Sequence, residues 1–104
     1  MKEFLRSFLT VNPINGCTVM FRRDLLARVG FFDEKLRYTQ DYDYWMRALI
    51  GRETAHFLDE SLTLYRWHGQ MGTVLHLPRV QREVRLLQNR YRKRLRRLVR
   101  TVNY

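Results

Sequence analysis

From Leu77 onward the apolar residues Leu77, Val80, Val84, Leu87, Tyr91, Leu95, Leu98 and Val102 recur at intervals of 3, 4, 3, 4, 4, 3 and 4. Only a helix places such positions on one face, and the spacing is close to a heptad seam. Pro78 suits the first turn, where a missing N–H costs nothing. The spacing predicts one long amphipathic helix over 77–102 that must cover its seam with something.

The same segment holds most of the charge. The chain of 104 residues carries a net +10. Between Arg79 and Arg100 lie ten basic residues opposed by Glu83 alone, a net +9, whereas residues 1–78 balance ten basic against nine acidic side chains. The chain thus divides into a nearly neutral body, 1–76, and a basic amphipathic tail, 77–104. Apolar residues make up 45% of the chain, enough for a packed core and against disorder. No run approaches the roughly 18 apolar residues of a membrane span, and the charged N-terminus is not a signal peptide. With Cys17 as its one cysteine the chain closes no internal disulfide, which fits a reducing compartment. We place the protein in the cytoplasm, either free or peripheral to the inner face of the membrane.

In the body, Phe4, Leu5, Phe8 and Leu9 share a helical face, and Asn12-Pro13 ends that helix. Ile14 to Phe21 reads as a strand with Cys17 buried in it. Arg23 to Val29 reads as a short helix followed by Gly30 at its left-handed end. Asp41 to Ile50 is a helix with Tyr44, Trp45, Ala48 and Leu49 inward, ended by Gly51. Asp41 stands at its start, where a carboxylate accepts orphan backbone N–H groups. Leu62, Leu64 and Arg66 alternate with Thr63, Tyr65 and Trp67, a strand pattern. The fold class is α/β, with short helices and a few strands before the long basic helix.

Four stretches occur in a fixed order: Asn15-Gly16-Cys17-Thr18-Val19-Met20-Phe21-Arg22-Arg23, Val29-Gly30-Phe31-Phe32-Asp33-Glu34, Gln40-Asp41-Tyr42-Asp43-Tyr44-Trp45 and Leu64-Tyr65-Arg66-Trp67-His68-Gly69-Gln70. In order and spacing they resemble the C-terminal, acceptor-side half of family-two glycosyltransferases of the GT-A fold, over about residues 4–73. The resemblance implies sugar transfer from a nucleotide-sugar donor to a hydroxyl of a saccharide or lipid-linked acceptor, with inversion and metal assistance. It places Asp41 at the general base. The helix dipole stabilises negative charge there, and a plain capping role is compatible with catalysis. Asp43 is the fallback base, or else pairs with Arg47 at i+4. His68 matches a metal ligand of some members, for Mn²⁺ or Mg²⁺, and is otherwise a loop histidine. Arg66 faces the diphosphate or pairs with a nearby acid. Trp67 and Gln70 are acceptor-site candidates. Trp45 and Trp67 both offer a ring for stacking on a sugar, but Trp45, on the apolar face, reads first as core. His56 and His76 carry no motif.

By the same resemblance, the donor-binding half and its Asp-x-Asp carboxylates lie upstream of Phe4, so the divalent metal is expected only in the full-length enzyme and the chain alone is expected to be inactive. The rival reading is a non-catalytic binding or assembly module. For the basic helix four roles stand open: packing on the body, contact with an anionic membrane, homodimerisation through residues 77–102, and nucleic-acid binding. The last is disfavoured because the body shows no nucleic-acid recognition motif.

Overall fold

The computed structural model describes residues 1–102, apart from the side chain of Thr73. Its helices are α1 (Lys2–Ser7), α2 (Leu25–Val29), α3 (Gln40–Ile50), α4 (Gly72–Leu75) and α5 (Leu77–Thr101), with a 3-10 turn at Gly16–Thr18. Helix α5 is the organising element. It lies against α1, α3 and α4, and its seam residues Leu87, Tyr91, Leu95, Leu98 and Val102 are buried. They join Leu5 and Phe8 of the first segment and Tyr42, Tyr44, Trp45, Met46 and Leu49 of α3 in one core cluster. The seam predicted from spacing therefore packs on the body from Leu87 onward. Toward its N-terminal end Val80 and Val84 are half-buried and Leu77 is exposed.

Helix α3 is apolar on more than one face because it is covered from two sides. On one side, Phe8 stacks with Tyr42 at a centroid distance of 6.2 Å, and the Tyr42 hydroxyl donates to the Phe8 carbonyl. On the other, Phe32 stacks on Tyr44 at 4.3 Å. Gly30 follows α2 with φ of +96°, a conformation that side chains resist. The turn that results is fastened to α3: the Tyr44 hydroxyl donates to Gly30 O at 2.8 Å, and Arg47 donates to Val29 O at 3.2 Å and Phe31 O at 2.8 Å.

Two expected strands are not formed among the described residues. In the first, Asn15 competes with extended pairing. Its Oδ1 accepts the Cys17 N–H at 3.0 Å, while its carbonyl accepts the Thr18 N–H at 2.9 Å and the Thr18 hydroxyl at 2.6 Å. This side-chain-nucleated turn is a known rival of regular structure. It also turns Cys17 outward, so Cys17 is exposed and the expectation of a buried cysteine is corrected. In the second, residues 55–67 form no regular element and make one backbone–backbone hydrogen bond, a tight turn from Glu60 N–H to Leu58 O at 2.9 Å. The alternation is present, but a strand needs a neighbour to pair with.

Candidate active site

The first turn of α3 is shaped from a distance. Residues 37–39, just before it, carry backbone N–H groups that no helix bond satisfies. Glu83 of α5 takes all three: Arg37 N–H at 3.1 Å, Tyr38 N–H at 3.0 Å and Thr39 N–H at 3.2 Å. The Thr39 hydroxyl adds a fourth bond at 2.9 Å and Arg79 a fifth at 3.3 Å. Burial alone pushes a carboxyl up, but these donors outweigh it and hold Glu83 below its ordinary value. The lone acid of the basic segment is thus turned inward.

Asp41 emerges two residues beyond this clasp. It is half-buried, and its Oδ1 accepts the Tyr42 N–H at 2.8 Å. Thr39 precedes the helix as its cap residue, so Asp41 occupies the first turn rather than the cap itself. Beside it opens a cavity of about 320 Å³, lined by Asn15, Gly16, Cys17, Val19, Phe21, Phe32, Tyr38, Gln40, Asp41 and Trp45. That is within the range of small-molecule sites. Gly16 lets the turn approach closely: a methyl at this position would stand 3.3 Å from Asp41 Oδ2. The aromatic wall is interlocked, with Trp45 edge-on to Phe21 and Phe32 at 6.3 Å each. The Trp45 indole N–H is buried with no hydrogen-bond partner among the described residues.

Asp43 lies elsewhere. It is 1% exposed, and its Oδ2 pairs with Arg47 Nε at 2.9 Å. Its Oδ1 takes the Tyr91 hydroxyl at 2.5 Å, with Arg90 at 3.8 Å. Burial, and then the bond to Asp43, push the Tyr91 hydroxyl above its usual value. The i+4 pairing expected for Asp43 is therefore present, and its carboxylate is closed to an outside hydroxyl.

Arg66, Trp67, His68 and Gln70 sit apart from the Asp41 cavity and are exposed. His68 Nδ1 accepts the Gln70 N–H at 3.2 Å. No three His, Cys, Asp or Glu side chains cluster among the described residues, in keeping with a resemblance that puts the other metal ligands upstream of Phe4. Sequence reasoning missed the contributions of Tyr38, Phe21, Phe32 and Gln40 to the cavity; Trp45, read first as core and second as a sugar-stacking ring, is buried and also lines the cavity. The adjacent Gln40-Asp41 and the Asn15-Gly16-Cys17 stretch were the available signals.

Proteins named as glycosyltransferases match part of this chain. An uncharacterized glycosyltransferase of Rickettsia typhi is 38% identical over 60 residues, 58% of this chain and 19% of the relative. One from Rickettsia prowazekii is 37% identical over 60 residues, with the same coverage. One from Methanocaldococcus jannaschii is 34% identical over 65 residues, 62% of this chain and 21% of the relative. The chain is thus related to glycosyltransferases and spans about a fifth of the length of these relatives. No protein-family model and no solved structure matches it.

Proposed function

We propose that this chain is the acceptor-side part of a family-two, GT-A-type glycosyltransferase, in which Asp41 is the general base for sugar transfer from a nucleotide-sugar to an acceptor hydroxyl. The observation that carries the reading is Asp41 itself, a half-exposed carboxylate in the first turn of α3 at the edge of an aromatic-walled cavity. A sugar presents flat apolar faces and a rim of hydroxyls. The aromatic rings suit the former and Asn15, Gln40 and Asp41 the latter.

In the reaction the acceptor hydroxyl gives its proton to Asp41 while its oxygen bonds to the anomeric carbon. The bond from that carbon to the nucleoside diphosphate breaks. The clasp at Glu83 and the close approach of Gly16 hold the base in position, and a misplacement of the order of 1 Å costs about a hundredfold in rate. Among the described residues no metal site is assembled, so no step is assigned to a metal. The donor and its diphosphate belong to the remainder of such an enzyme, and the chain by itself is proposed to be inactive.

The test is transfer from nucleotide-sugars by an enzyme that joins this segment to a donor-binding half. Asp41→Asn lowers kcat by about 10²–10⁴ and leaves donor KM unchanged. An Asp41→Asn enzyme of full activity, or steady turnover by the 104-residue chain alone, overturns the reading.

A further inference from the structure

A second cavity, of about 210 Å³, lies between the end of α3 and the last turns of α5 and is lined by Ile50, Arg52, Arg94, Arg97 and Leu98. We propose that Arg52, Arg94 and Arg97 form a binding site for a phosphate-bearing anion, a phosphomonoester or diphosphate end group.

The three guanidinium groups are brought together by separate devices. Arg52 is the one non-glycine residue with positive φ, 67°, among the described residues. That conformation is unfavourable for a side chain and is held only where surroundings impose it. Its Nη2 donates to Thr101 Oγ1 at 3.2 Å, and that hydroxyl donates to Leu98 O at 3.0 Å. Arg94 rests over the Tyr91 ring at 5.0 Å from its centroid, and Tyr91 is itself fixed by Asp43. Arg97 follows Arg94 by three residues and so lies on the same side of α5.

The charge at this spot is not spent internally. Among the described residues no acidic side chain pairs with Arg52, Arg94 or Arg97. None of the three donates to a backbone carbonyl there, so they are not capping the helix ends. The C-terminal ends of α3 and α5 contribute about half a negative charge each. Three full positive charges exceed that by about two. Planar guanidinium forks match phosphate oxygens two at a time, and Ile50 and Leu98 give an apolar wall for the carbon substituent of an ester.

Such a group arrives either on a soluble phosphate ester or on a lipid headgroup, and two probes separate these sources. Inorganic pyrophosphate is titrated calorimetrically into the full chain. Phosphatidylcholine vesicles with and without phosphatidic acid are used for co-sedimentation. The double variant Arg94→Gln/Arg97→Gln is compared with Arg82→Gln/Arg85→Gln, which removes equal charge from α5 away from the cavity. The expected result is binding of pyrophosphate, of phosphatidic-acid vesicles, or of both. The cavity variant should weaken it at least about tenfold, and the remote variant by far less. Arg52→Gly removes a guanidinium while relaxing the strained backbone, so weaker binding in that variant does not reflect unfolding. Pyrophosphate binding assigns a soluble ester, and binding to vesicles alone assigns a headgroup. Failure of both probes to bind, or equal weakening by the two double variants, overturns the site.

Discussion

Helix α3, packed on α5, and the irregular segment 55–67 each carry seven apolar residues, yet they end in opposite states. At the interface Met46 and Leu87 are fully buried, and each carboxylate facing it is met by several donors. In the segment Phe57 is 84% exposed, Trp67 73% and Leu64 100%. A helix satisfies its own backbone and needs only a surface for its stripe. An extended segment needs a second strand for its backbone before its side chains can pack. Sequence pattern specifies both equally well, but only the first can be realised with partners found among these residues.

That contrast can be broken by mutation, and Asp43→Ala carries the largest expected effect. It leaves Arg47 and the Tyr91 hydroxyl without their buried partner and costs about 3–5 kcal/mol, measured as a fall in the denaturant midpoint. A loss near zero would mean that the network is not what joins α3 to α5. Glu83→Gln comes next, at about 2–3 kcal/mol, because a charged acceptor of backbone donors is replaced by a neutral one. It also has a pH signature. The Glu83 carboxyl is held below its ordinary value of 4.5 when folded. Its contribution is therefore present above the unfolded-state value and is lost as pH falls through the folded one. The stability difference between the parent and Glu83→Gln should shrink through that acid range, and a pH-independent difference would contradict the clasp. Leu64→Ser has the smallest effect, within about 0.5 kcal/mol, since its side chain touches solvent throughout. A loss as large as that of Glu83→Gln would show that segment 55–67 is packed after all.

What was legible in the sequence follows the range of the interactions involved. Helices α3 and α5 were readable because 3- and 4-residue spacing is a local signal, and the Asp43–Arg47 pair because i+4 neighbours must meet. The choice of the body as partner for the α5 seam was one of several open roles and needed the structure. The turn at Asn15 was hidden by the apolar letters around it, although an asparagine ahead of glycine is a local turn former. The Glu83 clasp was not readable at all: its partners are backbone N–H groups 44 to 46 residues away, and a backbone donor leaves no mark on residue type. Of the candidate site, Asp41 was placed by resemblance, whereas the aromatic wall required knowing which faces of α3 and of the turn after α2 oppose each other.

The Glu83 clasp also orders events during synthesis. Thr39 and Glu83 are 44 residues apart, and chains grow at about 5–20 residues per second, so roughly 2–9 s separate the two on the ribosome. Throughout that interval water, and not Glu83, accepts from the amides of the loop ahead of Asp41. The three residues that lead into the Asp41 turn thus gain their fixed acceptor only from a part of the chain made well after them.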